Sequence, residues 1–316
     1  MTVLTPARIT LRLHRFEVVA FALLTALGVI ATVVVAARLD AVGFGAHCME
    51  AMRVGAMPVD CEFKMNEFYG IVSDSGIVSS LSLIVPFVGA LLLGVAVVGR
   101  EIERGTTRLV WALTPSRQRW FLHRFVPVLL LVAGLTFVLG IAADRLLAST
   151  EPGLDPANAF AQFGFRGVIL AARVVFVLAL AVLVGTVMGR ALPALIVAGI
   201  IAAVGIAGGM EVHGRILRSE AVAIEEAQAQ AGDLYIDQQF RLPDGRLIGW
   251  EEVERYDPPP TDPNFTGEWP TLPTVNLGVP GSRYREVEVR EVGALAGGSL
   301  VLLLATAMVI QRRRPG

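Results

Sequence analysis

Six stretches of this chain are apolar over about the length a helix needs to cross a bilayer, and little else constrains its fold so tightly. They are residues 17–37, 77–98, 121–142, 167–188, 192–209 and 292–310. A hydrocarbon core takes roughly 20 residues of helix. Composition agrees: 54% of residues are hydrophobic and 17% charged, where a soluble domain carries about a quarter charged. The fourth and fifth stretches are separated only by Gly189-Arg190-Ala191, which predicts a tight hairpin, with Pro193 suited to the first turn of the next helix. The basic residues ahead of the first stretch resemble the start of a signal peptide. Its run of about 20 apolar residues is too long for a cleaved signal core, so a retained first span is predicted.

Charge then orients the spans. With the N-terminus inside, the inner segments are short and hold 13 basic residues with two acids, Glu101 and Glu103. The outer segments also hold 13 basic residues, spread over far more chain and accompanied by 25 acids. Short loops set orientation, so both termini are expected inside, with Arg312, Arg313 and Arg314 as the closing anchor. Cys48 and Cys61, the only cysteines, then fall together in the first outer segment. A disulfide is expected there, stabilising the loop by ~3 kcal/mol in the chain-entropy model. His47 would be a third metal ligand, but no second ligand cluster accompanies it, and no metal is predicted.

Between the fifth and sixth spans the composition changes. Residues 211–232 read as helix, and DLYIDQQFRLPDGRLIGW reads as two strands around the Asp244-Gly245 turn. The proline-rich stretch after it reads as extended chain or loop. This is a small cap: a contact surface for cargo or an outer partner, or a spacer over the mouth of the spans.

The inner segment VVGREIERGTTRLVWALTPSRQRW, residues 97–120, carries five arginines and two glutamates. Glu101 and Glu103 are expected to end the second helix, Gly105 to break it and Thr106 to cap the next helical turn. Residues 107–113 predict two helical turns anchored by Leu109, Val110 and Trp111. Thr114 and Pro115 then start a basic helix carrying Arg117, Arg119 and Trp120 into the third span. Inward retention explains the arginines and interfacial tryptophans. It does not require the acids, which suit a surface that pairs with another protein. At the N-terminus, Arg8, Arg12 and Arg15 share one helical face beside Ile9, Leu13 and Phe16, predicting an amphipathic helix on the inner leaflet. It serves as a surface anchor or as a partner contact.

These residues resemble the permease subunits of ABC transporters, in particular the six-span type-two permeases common in actinobacteria. The resemblance lies in Glu101, Glu103, Gly105, Thr106, Arg108, Leu109 and Trp111, then Ser116, Arg117 and Trp120. It extends to Arg190, Pro193 and Ala194, the amphipathic leading helix and the Arg-rich tail; residues 211–291 match in position alone. It implies that the elbow is a coupling helix docking on a separate ATP-binding subunit at the cytoplasmic face. Two permease chains, identical or different, would work with two ATPase chains in the cytoplasmic membrane. ATP and Mg would be held by the partner. The residues agree on this point. Lys64 is the one lysine against 26 arginines, so the Gly-x-x-x-x-Gly-Lys-Ser/Thr phosphate loop is absent and no cofactor is expected on this chain. The net charge of −1 gives no footing for a nucleic-acid partner.

The prediction is therefore an all-α polytopic membrane protein of six transmembrane helices. An interfacial helix occupies 1–16. Spans one to five occupy 17–209, with an outer loop at 38–76 and the elbow at 99–120. A small extracytoplasmic α/β cap occupies 210–291, and the sixth span and basic tail 292–316. The expected function is the membrane subunit of an ATP-driven exporter in a bacterial cell membrane; the excess of Arg over Lys and of Ala, Val and Gly suits a GC-rich genome, and the resemblance implies an actinobacterial one. The alternatives are a sensing or regulatory module acting through the outer cap, and an intramembrane enzyme. Against an enzyme, His14, His47, His123 and His213 are scattered and none begins His-Glu-x-x-His. Glu251-Glu252-x-x-Arg255 falls one residue short of a membrane-protease pattern. A secondary transporter would place ionisable groups in mid-membrane, where these spans have almost none. The exception is Arg173, expected to pair or to snorkel outward, at a cost of ~2.5–3.5 kcal/mol if centred. Glu17 could pair with Arg12, Arg15 or the elbow. Pro86 and Pro127 mark kinks or packing features, and the pairs Gly205/Gly209 and Gly293/Gly297 would permit close helix approach.

Overall fold

The computed structural model describes residue 12 and residues 14–106, 116–225, 230–258 and 270–313. Among them, six helices are long and apolar enough to cross a membrane. In chain order these are α1 (Arg15–Val42), α3 (Val59–Glu103), α4 (Arg117–Thr150), α5 (Gly167–Met188), α6 (Ala191–Ser219) and α8 (Tyr284–Arg312), with a short α2 (Ala46–Arg53) between the first two. The protein is mostly helical with one small sheet. It divides into two units. One runs to Gly153 and resumes over Gln162–Ile206 and from Glu288; the other comprises Leu154–Ala161 and Ala207–Val287.

In the first unit α3 and α4 each pack against both α1 and α5. Ala90, Leu93, Val97 and Val98 of α3 meet Val174, Leu178, Ala181 and Val182 of α5, with Phe121, Phe125, Val128 and Val132 of α4 in the same buried cluster. Helices come close where there is no side chain to hold them apart. A Cβ at Gly94 would lie 2.8 Å from the Leu178 carbonyl oxygen, and one at Gly185 3.1 Å from the Val95 Cα. The glycine pairs expected to serve this purpose do not: Gly205, Gly209, Gly293 and Gly297 face open space. Pro86 and Pro127 lie inside helices that continue past them.

Two boundaries differ from expectation. The segment 38–76 is not all loop, because α3 begins at Val59 and is 45 residues long. That is about 68 Å of helix, more than twice a hydrocarbon core of roughly 30 Å. Cys61, Met65, Phe68 and Val72 form the stripe that makes this extension helical. They pack with Phe44, Cys48 and Leu39, and the Phe44 and Phe68 rings stack at 4.7 Å. The Cys48–Cys61 disulfide closes this cluster. The sixth long helix starts at Tyr284, eight residues before its apolar run, because the charged stretch Arg285–Glu291 is helical too.

The second unit holds a four-stranded antiparallel sheet, order β1-β4-β2-β3, from β1 (Val222–Glu225), β2 (Leu234–Arg241), β3 (Leu247–Ile248) and β4 (Thr274–Val279). The β2–β3 hairpin turns at Asp244-Gly245 as expected, with Gly245 at φ +86°. A short helix, α7 (Trp250–Tyr256), packs on β2 and β3. Phe240, Leu242, Ile248 and Val253 form its core. One expectation fails here. Helix does not continue over 211–232: it stops at Ser219, and Val222–Glu225 pair with Val275–Gly278, tertiary pairing overriding the helix propensity of Ala and Glu. The proline-rich stretch, read as extended chain or loop, contains β4, an inner strand. Pro273 and Pro280 bound it and leave its six residues free to donate ladder bonds.

Candidate functional site

The elbow's two flanks lie at one end of the first unit, where the ends of all six long helices meet. α3 ends at Glu103 and Gly105 follows at φ +69°, so the chain leaves the helix through the left-handed conformation that glycine adopts freely. The Thr106 hydroxyl donates back to the Glu101 carbonyl at 3.2 Å, closing the helix behind it; the turn it was expected to cap lies outside the described residues. Residues 107–115, with Arg108, Leu109 and Trp111, lie outside the described residues, as does Arg8. The chain resumes at Ser116, whose side chain accepts the Arg119 amide at 3.1 Å. The N-cap of α4 is therefore Ser116, two residues after the expected Thr114, and Ser is among the favoured residues there.

Around these flanks a belt of polar contacts joins the helix ends. Glu17 of α1 pairs with Arg100 of α3, and Glu101 of α3 with Arg124 of α4. The Arg124 guanidinium lies 5.3 Å from the Trp120 ring centroid, and Trp120 is buried. Glu103 accepts the Ala191 amide at 3.1 Å, satisfying one of the orphan donors at the start of α6 and placing a carboxylate where that helix's dipole favours it. Arg117 donates to the carbonyls of Ile310, Gln311 and Arg313 at 3.3, 3.0 and 2.8 Å. Arg313 in turn donates to the carbonyls of Thr186 and Val187 at the end of α5. Arginine thus supplies donors to the orphan carbonyls at the C-termini of two helices. Gly189, at φ +64°, returns its amide to Gly185 and opens the α5–α6 hairpin.

Glu101 and Glu103, which the retention of positive charge left unexplained, therefore have partners inside the chain. Glu17 takes Arg100, from the elbow flank, and not Arg12 or Arg15; Arg12 is exposed and the Arg15 guanidinium lies over the Phe16 ring at 4.9 Å. His14, the residue before α1, is buried beside the belt at 4% exposure, with neither ring nitrogen hydrogen-bonded among the described residues. Burial lowers its pKa; Glu17 opposes this while Arg124, Arg100 and Arg104 add to it. Burial thus favours the neutral imidazole. Arg100, Arg124 and Arg313 were visible in the sequence only as inward charge, since a single sequence carries no signal for pairing between helices.

At the opposite end of the same unit, Arg173 is not a snorkelling charge. It pairs with Glu291 of α8 at 2.6 Å and lies 5.5 Å from the Phe165 ring centroid. Arg166, 1% exposed, bonds Asp144 at 2.7 Å, and Arg145 pairs with Asp40.

The family described as ABC-2 membrane transporter related matches residues 18–213. The chain belongs to this family. The match takes in α1 to α5 and most of α6, including both flanks of the elbow, and stops before the first strand of the sheet. An ABC-2-related chain is a membrane transporter subunit, which agrees with the resemblance carried by the elbow residues and with the absence of a nucleotide-binding loop from the sequence. No curated protein and no solved structure matches the chain.

Proposed function

We propose that this chain is the membrane subunit of an ATP-driven exporter of the cytoplasmic membrane, with its elbow, residues 99–120, docked on a separate ATP-binding subunit. Both termini and the elbow face the cytoplasm, and the sheet-bearing unit faces outward. A second permease chain completes the assembly, and ATP and Mg are bound by the ATPase pair. The observation that carries this reading is the belt. The elbow's flanks are fastened, by ion pairs and by side chains seated on helix termini, to α1, α6 and α8 and join α3 to α4, and Arg313 at the end of α8 carries the contacts on to α5. A displacement imposed on the elbow therefore reaches five of the long helices directly and α5 through Arg313. Glu101 and Glu103 act as positioning residues for the elbow, and the contact with the ATPase falls to the stretch between the flanks, Arg108, Leu109 and Trp111. Charges there set register and partner choice more than affinity.

The test is co-purification of the native chain from its host in mild detergent, with the accompanying chains identified by mass. An ATP-binding subunit should accompany the native chain and be lost with the Arg108→Ala/Leu109→Ala/Trp111→Ala variant. Its absence from the native complex, under conditions that hold other membrane complexes together, would sink the reading.

A further inference from the structure

The hydrophobic cluster around α2 is rich in soft ligands. His47 Nε2 lies 3.2 Å from Cys48 Sγ and 3.6 Å from Cys61 Sγ, and among the described residues these three form the one His/Cys/Asp/Glu group compact enough for a metal ion. Half of the chain's eight methionines fall within residues 49–65, and Met49, Met57 and Met65 pack against the buried cluster that contains both cysteines. Cys48 and Cys61 are fully buried while His47 is exposed, so the imidazole stands between the sulfurs and solvent.

We infer that on reduction of the Cys48–Cys61 disulfide this cluster becomes a binding site for a soft monovalent d10 cation, Cu(I). Two thiolates and the His47 imidazole supply the ligands, and the methionine thioethers supply the adjoining shell. The chemistry begins with thiol–disulfide exchange with an external dithiol, which passes two electrons and two protons to Cys48 and Cys61 and leaves as its own disulfide. The ion then displaces both thiol protons to solvent and stays Cu(I), so no electron reaches it. Thiolate and thioether donors select Cu(I), whereas carboxylate and water suit harder ions. The nearby carboxylate of Glu50 is taken by Arg53 at 2.5 Å. Backbone geometry suits both states. The Cα atoms of Cys48 and Cys61 are 5.4 Å apart, and two sulfurs on one ion, each at about 2.3 Å, sit only ~4 Å from each other. Oxidised, the pair is a structural staple; reduced, it is a metal site. The outer end of the transporter would thereby respond jointly to thiol reductant and to copper.

The experiment uses the full-length chain in detergent, reduced and desalted without oxygen, then titrated with Cu(I) against a coloured Cu(I) chelator. The reduced native chain should withhold one ion per chain, and the oxidised chain none at the same chelator concentration. His47→Ala, and separately Met57→Leu/Met65→Leu, should each weaken binding by roughly tenfold or more, the scale on which ligands and their supporting shell act. Both variants keep the cysteines, and the leucines conserve volume, so a helical circular-dichroism spectrum equal to the native one guards against unfolding. The proposal is overturned if the reduced chain competes no better than the oxidised one. It is also overturned if both variants match the native chain, which would leave two bare thiols and no built site, or if Zn(II) displaces Cu(I) at equal concentration.

Discussion

The two ends of the first unit are fastened by different chemistry. At the far end the main ties are few and deep: the disulfide, and the pairs Arg166–Asp144 and Arg173–Glu291, with both guanidinium groups buried or nearly so; the Arg145–Asp40 pair there is exposed. At the elbow end the Glu101–Arg124 pair is as deep, but the other ties are many and shallower. Side chains seat on backbone carbonyls and amides at helix termini, and the Glu17–Arg100 pair is partly solvated. Deep ties resist separation of the helices; shallow ones let helix ends shift together while staying joined. In the proposed exporter the first end would hold and the second would be moved.

The largest effect should come from breaking a deep tie. Arg173→Leu removes the buried ion-pair partner of Glu291 and should cost about 3–5 kcal/mol, read as the unfolding transition in detergent. Arg173→Leu/Glu291→Leu should recover most of it, and failure to do so would mean the pair is not a closed unit. Next, Cys48→Ala/Cys61→Ala should cost about 3 kcal/mol by freeing the loop while leaving ATPase co-purification intact. Arg117→Ala removes three carbonyl contacts at the elbow end and should cost only about 1–3 kcal/mol, yet uncouple ATP hydrolysis from transport. Equal coupling in both variants would erase the distinction between the ends.

The smallest effect should be on acid stability. His14 has a pKa below its ordinary 6.5, so the unfolded chain takes up a proton first as pH falls. The contribution of a neutral His14 is fully present above pH 6.5 and is lost as pH drops through that value toward the lowered one. Thermal midpoints should therefore fall as pH is taken from about 7.5 to about 5.5, and fall less in His14→Phe. Parallel curves for the two chains would show that His14 contributes nothing to the acid response.

The six spans and the elbow's position were legible because a bilayer demands long apolar helices and short loops carry the orienting charge. The Asp244-Gly245 hairpin was legible because two residues suffice to encode the turn. The inner strand β4 was not: between Pro273 and Pro280 its six residues look like more of the loop, and only pairing with both β1 and β2 makes them a strand. The N-terminal extension of α3 was hidden for a different reason. Its stripe of Cys61, Met65, Phe68 and Val72 is present, but hydropathy averaging sees the charges between them. At the elbow the residue types were readable and their partners were not. Glu103 meets Ala191 across 88 positions and Arg117 meets Arg313 across 196, and no local pattern announces either.

Docking at the elbow is tested most directly by a photo-crosslink from within it. The chain's two cysteines are joined to each other, so Thr107→Cys offers a single thiol for a photoreactive maleimide in host membranes. A second variant, Val54→Cys, places the same probe at the far end, where Val54 is 64% exposed. A docked elbow predicts an adduct with an ATP-binding subunit from position 107, changing in yield when ATP is added, and none from position 54. An elbow that captures no ATP-binding chain, or captures it no more than position 54 does, would contradict it.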